Sequence, residues 1–188
     1  MSEFSESFHF AKADRDQLKK ALGNAGMKGV VWGPSDTGWV TFIPFEGCKG
    51  HSILSSPRTD FAGNLSKIAG KPVLIWLFAE DHEWHTVLWR DGAKVAHYVC
   101  DWNEDDVRVD ANDTTLAELQ KLPMRSGRGS EVADCLAKDL DQNDLVDGEP
   151  RAYRFADALG LPKYQWASSQ YLTMDWSEGE EDEGVEVG

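Results

Sequence analysis

The chain has 188 residues, 41% hydrophobic and 28% charged, with a formal charge of −14. One domain is the default at that length, and its core can be buried without disulfides or metals. The acidic balance argues against nucleic-acid binding, which needs Lys and Arg against phosphate.

In chain order, residues 7–12 (SFHFAK) alternate in polarity and read as a first strand. Asp14 is a helix N-cap, with Gln17 three residues on completing a capping-box-like pattern. Leu18, Ala21, Leu22 and Ala25 share one helical face, and Gly26 is a stop. Gly29–Trp32 and Trp39–Pro44 read as short strands around the turn residues Gly33, Pro34, Ser35 and Asp36. Cys48–Pro57 is a loop. Residues 59–69 suit a helix with Phe61, Leu65 and Ile68 inward and Gly70 as its cap.

Residues 72–102 then read as a three-strand antiparallel meander. Val73–Ala79 is an unbroken apolar run, as expected of a strand buried on both faces, with Trp76 in the core. Asp91-Gly92 is a type I′ hairpin signal, because both turn positions need positive φ. That turn sets Arg90 against Ala93, and a regular ladder would then oppose Leu88 to Val95, Thr86 to His97, His85 to Tyr98 and Trp84 to Val99. Aromatic and β-branched residues on both faces call for cover on both.

Beyond the meander, residues 114–122 and 131–140 read as short amphipathic helices, with Ser130 as cap of the second. Residues 151–159 form a further helix ended by Gly160-Leu161-Pro162. Residues 164–172 read as a last strand or as an ordered aromatic segment on the sheet. The expected fold class is α+β: a single mainly antiparallel sheet in β-α-β-β-α-β-β-β order, helices packed on it, and a helical final third. The expected domain is residues 1–174. Residues 175–188 hold seven acids and no Lys or Arg, and read as a disordered acidic tail.

The tail carries −7, which leaves −7 for residues 1–174. Six acids stand against Arg108 in Asp101–Asp113, and six against Lys138 in Asp134–Glu149. Such a surface keeps a protein soluble and also suits a basic protein partner. The three cysteines, Cys48, Cys100 and Cys135, are widely spaced and fit a reducing compartment. The opening MSEFSESFHF reads as neither a signal nor a transit peptide, and no apolar run reaches the length of a membrane span. A cytoplasmic location without membrane association is expected.

Catalytic signatures are sparse. Residues 80–85 (EDHEWH) are the densest group of ligand-type residues, yet the pattern is not HExxH, and it reads first as a polar turn between strands. Cys48 and His51 share a loop without a third orienting residue. Residues 126–130 (SGRGS) set a cation and backbone donors before a helix but lack the P-loop spacing. No cofactor is expected.

Three pieces in order, GWVTFIP at 38–44, LWRDGAKVAHYVCDW at 88–102 and FADALGLP at 155–162, resemble a loosely defined group of uncharacterised bacterial cytosolic α+β proteins. The resemblance covers about residues 10–172 and implies no activity. Some small acidic bacterial proteins of similar build are immunity proteins of toxin systems, a likeness of class that transfers no site residues. The function expected is therefore a non-enzymatic protein-binding module, such as an immunity protein neutralising a basic toxin. Its partner-binding residues would be Asp101, Trp102, Glu104, Asp105 and Asp106. The alternatives are a hydrolase or metal-dependent enzyme using His82 and His85 or Cys48 and His51, or a small-ligand sensor.

Overall fold

The Asp91-Gly92 turn organises the centre of the sheet. Both residues have positive φ, 51° and 83°, and they join β5 (Glu83–Arg90) to β6 (Ala93–Asp101). The computed structural model describes residues 3–45, 56–80, 82–102, 107–140, 149–169, 171–172 and 184–187. The other elements, in chain order, are β1 (Phe4–Ala11), α1 (Arg15–Asn24), β2 (Gly29–Trp32), β3 (Trp39–Pro44), α2 (Ser56–Ala69) and β4 (Val73–Ala79). After β6 come β7 (Arg108–Ala111), α3 (Thr115–Leu119), α4 (Gly129–Cys135), α5 (Arg151–Leu159) and β8 (Val185–Val187). One sheet runs β7-β6-β5-β4-β1-β3-β2-β8, every neighbouring pair antiparallel. The fold is thus α+β, and the first eight elements follow the expected order.

The expected register holds for two pairs and then slips. Arg90 faces Ala93 and Trp89 faces Lys94, but Leu88 faces Ala96. Two steps along β6 match one along β5, so Val95 is the extra residue of a bulge. From there each partner is displaced by one: Val87 faces His97, Thr86 faces Tyr98, His85 faces Val99 and Trp84 faces Cys100. A slip of one residue exchanges faces, so His85 and Tyr98 lie on opposite sides of the sheet and are not neighbours.

Both faces are covered. On one, Phe8, Phe42, Ile75, Leu77 and Val87 join Leu18 and Leu22 of α1 and Ala62 and Leu65 of α2. On the other, Trp39, Trp76, Trp84 and Tyr98 join Leu119, Val132, Phe155 and Leu159 from α3, α4 and α5. Trp76 is fully buried there. Each large apolar side chain withdrawn from water contributes roughly 1.5–3 kcal/mol, which is what holds α3 and α4 as helices of 5 and 7 residues, too short to stand alone.

Helix ends follow local chemistry in part. Asp14 accepts from the Gln17 N–H at 2.9 Å, as the capping pattern requires. Gly160 ends α5 in the left-handed region at φ 70°. The N-cap of α4 is Arg128 and makes no side-chain capping bond, so Ser130 is not the cap. Residues 164–169 form no strand: they are turn and bend leading into a helical turn, the aromatic-segment alternative. The tail needs correction where it is described. Val185–Val187 is not disordered but pairs with β2, with Val187 2% exposed.

Candidate functional site

At the end of the sheet where β1 begins and β6 finishes, aromatic rings and carboxylates converge. Trp102 follows β6, and its backbone N–H donates to the His82 carbonyl at 2.8 Å, one rung beyond the ladder. Its half-buried ring lies 6.5 Å from Phe78. Phe78 sits 5.1 Å from Tyr153, and Tyr153 sits 5.8 Å from Tyr164. Trp76 backs both tyrosines, at 6.3 Å and 5.5 Å. Trp102 is therefore the outer member of a continuous aromatic run that crosses from the sheet to α5. Such edge and tilted contacts are the favoured aromatic geometries.

Glu3 anchors this run. It is 3% exposed, and its carboxylate accepts from the Ser5 hydroxyl, the Tyr153 hydroxyl and the Trp166 N–H. Burial raises its pKa, the bonds from Ser5 and Trp166 oppose that rise, and the Glu80 charge adds to it. The Glu3 N–H in turn donates to the exposed Glu80 carboxylate at 2.9 Å. Trp166, 43% exposed, meets Tyr171 edge-on at 5.3 Å.

Asp101 is half-buried at the end of β6, paired across the sheet with Glu83 on one side and Arg108 on the other. It shares the end of the sheet with Trp102, as the sequence placed it. Glu104, Asp105 and Asp106 lie outside the described residues, as do Cys48 and His51. Asp110 and Asp113 continue the acidic surface along β7 and are exposed.

The histidines go to separate places. His82 is exposed in the β4–β5 turn. His85 is 1% exposed on the face opposite Trp102's aromatic run, with Nε2 2.7 Å from Glu83 and Nδ1 buried without a hydrogen-bond partner. Among the described residues no group of three or more His, Cys, Asp or Glu could hold a metal ion. Arg128 of the SGRGS segment is ion-paired with Glu131 and Asp157, so its charge is engaged within the fold.

One buried network was not anticipated. Ser7 Oγ lies 2.8 Å from His9 Nε2, and His9 Nδ1 lies 2.8 Å from Thr41 Oγ1. Thr41 donates to the Pro162 carbonyl, so its oxygen accepts the His9 Nδ1 proton, and Nε2 is left to accept from Ser7. Burial holds the imidazole at about pKa 3, hence neutral. The order hydroxyl, imidazole, hydroxyl matches a nucleophile, base and orienting group. All three residues are 0% exposed, so the network ties β1 and β3 to residue 162 rather than facing solvent. The legible signal was Ser5, Ser7 and His9 at alternate positions of one strand. The thiols of Cys100 and Cys135 are likewise buried, and burial pushes each up to about 11.

No helix among the described residues is long and apolar enough to cross a membrane. Comparison with protein-family models, with curated proteins and with solved structures finds no match.

Proposed function

We propose that the chain is a non-enzymatic protein-binding module for a basic partner, and that it acts as an immunity protein does, by covering a basic toxin. The observation that carries this reading is Trp102. It is a half-buried ring braced by Phe78 and Tyr153 at the end of the sheet that also carries Glu80, Glu83 and Asp101, the last two on the opposite face. A braced aromatic anchor beside carboxylates is what a hot spot for Lys and Arg requires. The charge of −14 adds long-range steering of a basic partner.

The test reads the genes on either side of this chain's own: a basic polypeptide encoded there is expected, and it is titrated calorimetrically at two salt concentrations, whereas neighbours that encode none would count against the reading. Trp102→Ala should weaken binding by about 2 kcal/mol, in the hot-spot range. Asp101→Asn should flatten the salt dependence. Unchanged affinity in both variants would remove the reading.

A second reading has its own observation. His85, paired with Glu83 and carrying an unpartnered Nδ1, is poised as an acid–base or ligating group. Zinc titration followed by mass spectrometry decides it: stoichiometric zinc lost in His85→Gln would favour an enzyme.

A further inference from the structure

The sheet ends at β7, and the direction of that strand's backbone groups follows from its neighbours. The Trp102 N–H donates to the His82 carbonyl, on the β5 side of β6. Cys100 and Tyr98, at alternate positions, therefore turn their backbone groups to β5, and Asp101, Val99 and His97 turn theirs to β7. The hydroxyl of Thr115, just after β7, donates to the His97 carbonyl and agrees with that direction. Asp101 pairs with Arg108 and Val99 with Asp110. Arg108 and Asp110 thus bond inward, and Val109 and Ala111 present N–H and C=O outward. Among the described residues no strand lies beyond β7. Lys138 reaches this edge, its Nζ 3.5 Å from the Ala111 carbonyl. That is a long contact from an exposed side chain, and an incoming N–H replaces it at normal length.

The side chains of the edge sort by face. Val109 and Ala111, with Val107 before them, are half-buried against the same cluster as Trp102. Arg108 and Asp110 are exposed on the other face, Arg108 across from Asp101 and Asp110 3.3 Å from His97 Nε2. The charges around this edge are Asp101, Asp110, Asp113 and Asp139 against Arg108 and Lys138, and Lys138 is itself 3.8 Å from Asp113. The stretches that supply those two cations, Asp101–Asp113 and Asp134–Glu149, hold six acids each and no other Lys or Arg. The acidity is therefore local to β7 and does not rest on the charge of the whole chain.

We infer that the outer edge of β7 accepts an extended basic segment of the partner as a further antiparallel strand. This rests on the reading of the chain as a binder of a basic protein, and it extends that surface from Trp102 to the neighbouring edge. The pleat sets what each position takes. Apolar residues of the incoming strand stand beside Val109 and Ala111, on Trp102's face. Lys stands opposite Asp110 and opposite Asn112, next to Asp113. The place opposite Arg108 takes a neutral residue. A second copy of the chain fits less well: two β7 strands set Arg108 against Asp110 around Val109, but they bring Asp101, Asp113 and Asp139 of both copies to one seam.

The probe is a fluorescein-labelled peptide, Lys-Val-Lys-Val-Thr, which runs from Asn112 back to Arg108. Its controls carry Glu for both Lys, or N-methyl groups on both Val. Amide exchange is read on the full chain. Without peptide, Val109 and Ala111 should exchange freely while Arg108 and Asp110 are protected by β6; the peptide should slow Val109 and Ala111. In anisotropy the parent peptide should bind more tightly than either control. Val109→Pro removes an outward N–H and no bond to β6, so it should keep its circular dichroism. It should weaken the peptide about tenfold, as one or two lost backbone bonds would. Asp110→Lys should weaken it as well. The idea is overturned if Val109 and Ala111 are already as slow as Asp110 in the free chain, or if either control binds as well as the parent. A dimer in ultracentrifugation that Val109→Pro disperses also overturns it. Should Val109→Pro unfold, exchange in the intact chain and Asp110→Lys decide. Partner affinity lowered by Trp102→Ala but not by Val109→Pro leaves the proposed function standing and removes only this site. Protection of Val109 by the peptide, with no basic polypeptide encoded beside the gene, does the reverse.

Discussion

His9 gives the sharpest test of the buried network. Burial sets its native pKa at about 3, whereas the unfolded chain has the ordinary value of 6.5. Between those values the unfolded state binds a proton that the native state refuses. Stability from this residue is therefore complete above 6.5 and is lost as pH falls toward 3. Integrating the unfolded titration from pH 7 to pH 5 gives a loss of about 2 kcal/mol. The figure depends on the unfolded value alone, because native His9 is still neutral at pH 5. Glu3, with its raised pKa, works in the opposite direction at the acid end of this window, so the total curve mixes signs. The difference between wild type and His9→Gln isolates the imidazole. Urea unfolding at pH 7, 6 and 5 should show that difference shrinking by about 2 kcal/mol in wild type's disfavour. A difference that stays flat across the range would mean that His9 titrates in the fold as it does in the unfolded chain, and the assignment of its tautomer would fall with it.

Thr41→Val keeps the shape and removes the hydroxyl, leaving His9 Nδ1–H and the Pro162 carbonyl without their partner; a loss of about 2–4 kcal/mol is expected from chemical denaturation, with Thr41→Ser near wild type. Gly160→Ala sets a Cβ at φ 70° and 2.6 Å from Thr37 Oγ1, the donor to the Leu159 carbonyl. It should cost about 2–3 kcal/mol and lower Tm by several degrees in calorimetry, since each kcal/mol is worth about 2–4 °C at this size. With Cys48→Ser as background, Cys100 and Cys135 at pH 8 should resist iodoacetamide in the native state and react in urea, because both thiols are buried and held near 11. Mass spectrometry showing native labelling at more than a tenth of the unfolded rate would contradict their burial.

The hairpin turn, the capping pattern at Asp14 and the Gly160 stop were legible because each is a local rule satisfied by two or three neighbouring residues. The bulge was not. Val95 is a β-branched residue inside a run of strand formers, so nothing in the spacing marks it as extra, and its effect appears only when β5 and β6 are laid together. Strand β7 hid for another reason: Arg108 and Asp110 alternate with Val109 and Ala111 at a sheet edge, so the segment reads as polar and acidic. Strand β8 was hidden by its setting. Val-Glu-Val stands among acids, and its partner β2 lies more than 150 residues away in sequence. At the candidate site, Asp101 and Trp102 were legible as the end of the meander. Tyr153, Tyr164 and Glu3 were not, because they meet only after α5 folds back over the sheet.

That folding back also explains why an acid is buried at the start of β1. Withdrawing a carboxylate from water is costly, and the raised pKa of Glu3 records the cost. The same carboxylate joins Tyr153 of α5 to Trp166, while Ser5 beside it accepts from the Ala167 N–H at 2.9 Å. Through Thr41 and Pro162 the His9 network fixes the segment between them. Glu3, just before β1, and Ser5 and His9 within it thus hold residues 153–167 in one place. Tyr153 in turn braces Phe78, and Phe78 braces Trp102. An anchor held this way loses little freedom on meeting a partner, and affinity depends on that saving more than on contact area. The polar inner face of β1 is then part of the construction of the proposed binding surface, although none of its side chains reaches Trp102.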